Sequence, residues 1–448
     1  MILRFISTIR LAVGQMFGDR DYAGALASGY VQIAVNAVVQ LAMVPLYLET
    51  IGRAGFGILM VLLALATYLA VGALWLTGGA TRTLGEMAAN DDRLGFAEVW
   101  SAGRTAALVY TGAIGAFVLV TLALFPGLLG TDALGVTGLW PALVLFALNV
   151  VVSWVLAIDR IGLNVTRQQT WSNVLGIVAQ LVFVALAVPM LLGGGSLANV
   201  TGALLVGNLV ALVAAGILWR HLGYRLSWWQ NFRAQRRRVA GMLTRRGRDF
   251  TLYGMLSLTL QADILVISFI GGPLLAADFA LVWKIAEVVV VALGRFPDAL
   301  QPRMIQHDVR GEHDELATSI RRIDRLMIVA AATFGVIYAF AGPAVVELWV
   351  GADNVPHGPL ALYGYMLAGG AAFWLAITKL PIAAAFVTLR LRPLVVIMSV
   401  ELTAKIALIA ALVGTVGFLA PLAAINITHV LGAAWAYRWL LRKVTKAE

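Results

Sequence analysis

Six ionisable side chains stand inside stretches that are otherwise apolar: Asp263, Lys284, Glu287, Lys379, Glu401 and Lys405. A charge at the centre of a membrane helix costs about 2.5–3.5 kcal/mol on insertion scales, so such groups face a partner or a water-filled cavity. Two chemistries are open to them. The ammonium groups of Lys284, Lys379 and Lys405 can hold an anion, which makes them candidate substrate ligands. The carboxylates of Asp263, Glu287 and Glu401 can take up H⁺ or Na⁺, which makes them candidate coupling sites. The spacing also permits a structural role, because Lys284 with Glu287 and Glu401 with Lys405 fall at i,i+3 and i,i+4 and can each close an ion pair on one helix. Lys379 has no acid in its own stretch, and Pro381 two residues later predicts a broken or kinked helix. Lys379 is therefore the leading anion ligand. Three lysines and three acids sum to zero, so a cationic cavity requires some acids to be protonated or turned away. The first half of the chain offers neutral groups only: Gln32, Asn36 and Gln40 share one helical face at i, i+4, i+8 spacing. Of these, Gln32 and Asn36 join the candidate substrate ligands.

Nothing in the sequence points to covalent catalysis. There is no phosphate-cradling GxxxxGK[ST] and no metal-spaced pair of histidines. His221, His307, His313 and His357 fall outside the apolar stretches, and His429, inside the last one, reads as a packed residue. Cysteine is absent, which removes disulfides, thiolate metal sites and a cysteine nucleophile. No cofactor or metal is expected; if the chain moves a substrate, the expected drive is H⁺, Na⁺ or the membrane potential.

The elements that position these residues follow from composition. The 448 residues are 61% hydrophobic and 12% charged, with a mean hydropathy of +0.88. A soluble domain carries about 25% charged residues, so this chain has too few to cover itself in water. It reads as an all-α polytopic membrane protein, and the soluble-enzyme, disordered and disulfide-scaffold classes fall away. Twelve stretches meet the length of about 20 residues needed to span a bilayer: 24–48, 56–76, 100–125, 138–158, 171–192, 199–219, 250–270, 274–294, 323–343, 360–388, 394–414 and 417–440. The last two are separated only by the Gly414 to Gly417 region. Trp100, Trp140, Trp171, Trp219 and Trp349 fall at span ends, where indole prefers the interface.

With the N-terminus placed in the cytoplasm, all of the 33 basic residues lie on cytoplasmic segments or their flanks except Arg53 and the three intramembrane lysines. That asymmetry predicts both termini inside and an even number of spans. It also accounts for the net charge of +10 without nucleic acid. Residues 2–17 read as an amphipathic helix on the membrane surface. Arg10 and the Asp19-Arg20-Asp21 run break any signal-peptide core, so the chain is expected to be retained whole. The hydrophilic, basic stretch 220–249 divides the chain into a six-helix bundle, 1–219, a cytoplasmic linker and a second six-helix bundle, 250–448.

The two halves echo one another at a nearly constant offset. Ile51-Gly52 returns as Ile270-Gly271. Thr81-Arg82, Glu86 and Asn90-Asp91-Asp92-Arg93-Leu94 return as Pro302-Arg303, Asp308, Arg310 and Asp314-Glu315-Leu316. Six spans per half predict parallel repeats around a central cavity, a layout suited to alternating access.

Val44-Pro45-Leu46-Tyr47-Leu48, Ile51-Gly52 and Phe56-Gly57-Ile58-Leu59 resemble the opening of Wzx-type polysaccharide flippases. Gly78-Gly79-Ala80-Thr81-Arg82 and its recurrence at Phe296-Pro297 through Arg303 extend the likeness. These flippases belong to the multidrug/oligosaccharidyl-lipid/polysaccharide (MOP) exporter superfamily. The resemblance implies a flippase that moves an undecaprenyl-diphosphate-linked glycan across the bacterial inner membrane for surface polysaccharide synthesis. It would act among membrane lipids and other polysaccharide-assembly proteins, with Lys284, Lys379 and Lys405 as the cations available to the diphosphate. The alternative is a cation-coupled multidrug exporter of the same fold, using Asp263, Glu287 and Glu401. A membrane glycan polymerase or ligase, the enzyme reading, requires a large extracytoplasmic loop, and the charge map leaves no room for one.

Overall fold

The computed structural model describes residues 20–124, 135–224, 254, 262–310, 312–356, 361–388 and 390–445. The expectations for 2–17, for the linker beyond residue 224 and for most of span 250–270 lie outside them. Among the described residues twelve helices follow in order: α1 Arg20–Thr50, α2 Gly52–Ala89, α3 Arg93–Leu124, α4 Leu139–Val165, α5 Gln169–Leu192, α6 Leu197–His221, α7 Asp263–Arg310, α8 His313–Val350, α9 Ala361–Val387, α10 Leu391–Val416, α11 Ala420–Thr428 and α12 Ala434–Thr445. In hydrocarbon every backbone N–H and C=O must be satisfied within the protein, which is why an apolar chain of this kind becomes helix. Among the described residues nine helical stretches are long and apolar enough to cross a membrane. Their outer faces carry Leu348 at 90% exposure, Phe340 at 78% and Phe117 at 70%. Such a surface is stable against lipid tails and not against water. The protein is a multi-pass, all-α membrane protein.

The internal repeat is written into the helix boundaries. The starts of α3, α4, α5 and α6 (Arg93, Leu139, Gln169, Leu197) recur at His313, Ala361, Leu391 and Ala420, each displaced by nearly the same length of chain. The turn that precedes them recurs too. Gly52 has φ +72, and its counterpart in the second half is Gly272, with φ +81. The sequence echo pointed to Gly271, one residue early. The residue that matters is the one in the left-handed region, where a Cβ is strained, and Gly272 breaks α7 there. A third such glycine, Gly417 with φ +56, ends α10 and separates the last two spans. Pro381 behaves differently: α9 is not broken there but runs on to Val387.

By internal contacts the chain forms two compact units: 1–42, 73–119 and 140–248 form one, and 43–72, 120–139 and 249–448 the other. In the first, the rings of Phe96, Trp100, Trp219 and Tyr224 pack together in tilted and edge-on contacts. Beside them the Trp100 indole donates to Asp159 at 3.1 Å, and Arg104 pairs with the same carboxylate at 3.2 Å. In the second, the repeated turns meet. Arg53 donates from Nε to Asp278 at 2.8 Å, and a Cβ on Gly57 would overlap the Pro273 carbonyl. Helices α8 and α9 cross just as closely, since a Cβ on Gly335 would stand 2.9 Å from the Gly369 carbonyl oxygen. Small residues at such crossings let backbones touch, the main source of helix cohesion in lipid. Gly335→Ala is expected to lower stability by about 1–3 kcal/mol through overpacking. Gly414→Ala, with open space around it, is expected to be neutral; thermal melting in detergent compares the two.

Candidate functional site

The second unit contains a buried polar network that joins three helical elements. Asp263 opens α7, Glu401 and Lys405 lie one turn apart on α10, and His429 and Tyr437 lie on the final helical segment. The Gly417 turn folds that segment back on α10, which lets residues far apart in the chain touch. Lys405 reaches Asp263 at 2.8 Å. The Tyr437 hydroxyl donates to Glu401 Oε2 at 2.7 Å. On the other side of the carboxylate, Glu401 Oε1 lies 3.5 Å from His429 Nε2. The ring of His429 stacks on Trp374 of α9 at 5.9 Å. Asp263, the most exposed of the five, is 7% exposed, and His429 is at 0%.

His429 also begins a one-turn π-helix, His429–Ala433. An inserted residue of this kind weakens the helical ladder, and such turns collect at functional sites. Sequence reasoning placed Asp263, Glu401 and Lys405 as candidates but took His429 for packing and did not consider Tyr437. Periodicity cannot reveal them, because only the fold at Gly417 brings residues of the last span to Glu401.

The other predicted residues fall elsewhere. Lys284 closes its i,i+3 pair with Glu287 at 3.0 Å, and Glu287 is partly exposed at 42% of its side chain. Lys379 is half-buried, with its methylenes 3.8 Å from the Cβ position of Gly294. In the first unit, Gln32 accepts from Arg160 at 3.3 Å, and Arg160 Nε also donates to Ser172 at 3.3 Å. Asn173, next to Ser172, bonds Ser28 of α1 at 3.0 Å. Asn36 presents a buried Oδ1 with no hydrogen bond among the described residues. Gly176 makes room for the Gln32 amide, where a Cβ would overlap it. Arg160, counted in the sequence among orienting charges, is thus a guanidinium held inside the unit by neutral partners. Its signal was available: it lies more than a turn inside α4, deep enough to face α1.

Chemically, the buried network of the second unit holds two carboxylates and one ammonium, an arrangement that favours added positive charge. The first unit offers a guanidinium fork with amides beside it, an arrangement that suits an oxyanion. Removing Lys405 leaves Asp263 buried without its counter-charge, so Lys405→Ala is expected to destabilise by about 3–5 kcal/mol. The double variant Lys405→Met with Asp263→Asn is expected to recover most of that loss in thermal melting. Failure of the double variant to recover would show that the pair does more than neutralise itself.

No family model matches the chain, and no curated protein does. Solved structures match in fold. A multidrug resistance MATE family transporter of the MOP superfamily, in its inward-facing conformation, matches with a TM-score of 0.71 at 10% identity, over 92% of this chain and 95% of that one. A mutant of the Vibrio cholerae MATE transporter VcmN matches with a TM-score of 0.67 at 12% identity, over 95% and 97%. A MOP superfamily transporter from Pyrococcus furiosus, whose reversed binding-pocket polarity suggests a different function, matches with a TM-score of 0.62 at 12% identity, over 95% and 94%.

Proposed function

We propose, from a fold shared along almost the whole chain with MATE transporters of the MOP superfamily, that the protein is a cation-coupled exporter of amphipathic substrates. It would work by alternating access in the bacterial cytoplasmic membrane, with both termini inside. The observation that carries this reading is the carboxylate surplus of the buried network. Asp263 and Glu401 are both buried, and the one ammonium of the network, that of Lys405, pairs with Asp263 at 2.8 Å. Lys284, the second cation expected to hold an anion, is occupied by Glu287. A network of this kind has a place for one more positive charge, and filling that place is how an ion gradient acts on a transporter. Fold alone does not name a substrate, and the proteins of like fold are multidrug transporters among others.

The flippase reading is the second, and Arg160 favours it. A guanidinium whose partners among the described residues, Ser172 and Gln32, are neutral suits the phosphate of a lipid-linked glycan. One deletion strain separates the readings. The exporter reading predicts normal surface polysaccharide and greater sensitivity to amphipathic toxic compounds, restored by the wild-type gene and not by Asp263→Asn. Loss of polysaccharide, with undecaprenyl-diphosphate-linked repeats trapped on the cytoplasmic leaflet, would replace it with the flippase.

A further inference from the structure

The Glu401–His429 contact brings a ring nitrogen and a carboxylate oxygen face to face at 3.5 Å. His429 Nδ1 lies 2.9 Å from the carbonyl oxygen of Ile425, one turn back on its own helix. A carbonyl only accepts, so Nδ1 carries the hydrogen and Nε2 of the neutral ring is a bare lone pair. That lone pair is buried, has no hydrogen-bond donor among the described residues and faces Glu401 Oε1 at 3.5 Å. Two acceptors therefore confront each other in a buried site, an arrangement that repels until a hydrogen lies between them. On its far side Glu401 is already held by the Tyr437 hydroxyl.

We propose that this pair is the proton site of the transporter: one proton binds between Glu401 Oε1 and His429 Nε2, and H⁺ rather than Na⁺ drives the cycle. The proposal rests on the coupled-transporter reading above and names its ion. When the proton arrives, it forms an O–H···N or N–H···O bond between the two atoms, and no other bond changes. Among the described residues, the charged and titratable groups around the pair are Lys405 on the helix of Glu401, Asp263 on α7 and Tyr437 on α12, while α9 presents the Trp374 ring. With Lys405 matched by Asp263, the added proton takes the network from a net charge of minus one to neutral. Na⁺ is poorly served in the same place. It wants several oxygen ligands, and here one side is an imidazole nitrogen, another is a ring face, and the Lys405 ammonium occupies the oxygen of Asp263 that would help to hold it. The π-turn beginning at His429 is where making or breaking this bond reaches the backbone.

The test is an infrared pH titration of the purified full-length protein in detergent, repeated over a range of NaCl. It requires no substrate. The expected result is a buried carboxylic-acid band that disappears in Glu401→Gln, shifts in His429→Gln and is unmoved by Na⁺. Proton uptake on acidification should fall by a single group in Glu401→Gln and move to a different pH in His429→Gln. Tyr437→Phe, which keeps both proton-binding atoms, should retain that group and supplies the reading if Glu401→Gln does not fold. Superimposable titrations of wild type and His429→Gln, or displacement of the band by Na⁺, would overturn the proposal. A proton site in a protein that transports nothing would instead remove the exporter reading and leave the site standing.

Discussion

A charge inside a bilayer has to be answered by a group inside the protein, and the second unit is arranged around that requirement. Lipid offers no counter-ion and no hydrogen bond. Asp263 at the head of α7 is answered by Lys405 of α10, and Glu401 by Tyr437 and His429 of the final segment. Each partnership ties two elements that the apolar surfaces alone would leave free to slide, since a leucine face binds a lipid tail as well as it binds a leucine. The network is thus structural glue and chemistry at once. Its excess of carboxylate over ammonium is what the proposed proton site rests on.

Close backbone contact supplies the rest of the cohesion. Gly335 against Gly369, Gly57 against Pro273 and Gly176 against Gln32 are places where a side chain has been withheld so that something else can approach. The left-handed glycines do a different job. Gly52, Gly272 and Gly417 reverse or break the chain, and Gly417 in particular carries His429 and Tyr437 back to Glu401. Substitution of this last glycine would strike the site without touching any member of it.

Much of the fold was legible because its signals are local. Apolar length marked the spans, glycine marked the turns, and the internal echo reappears in the helix starts, from Arg93 with His313 to Leu197 with Ala420. The site was legible only in part. Charge inside an apolar stretch exposed Asp263, Glu401 and Lys405, whatever their partners. The i,i+3 pairing of Lys284 with Glu287 could be read from spacing. The bonds of Glu401 to Tyr437 and of Lys405 to Asp263 could not, because they depend on how α7, α10 and α12 pack. His429 and Arg160 were undervalued for the same reason. One looks like core and the other like an orienting charge until neighbours are known.

The central claim is that the buried carboxylates couple transport to a cation gradient. The most direct measurement is accumulation of an amphipathic substrate by proteoliposomes holding the purified protein, under an imposed pH gradient or none. The account predicts accumulation against the concentration gradient only when the pH gradient is present. In Glu401→Gln, gradient-driven accumulation should vanish while exchange of substrate down its own gradient persists. Equal accumulation with and without the gradient, or full driven transport by the variant, would contradict it.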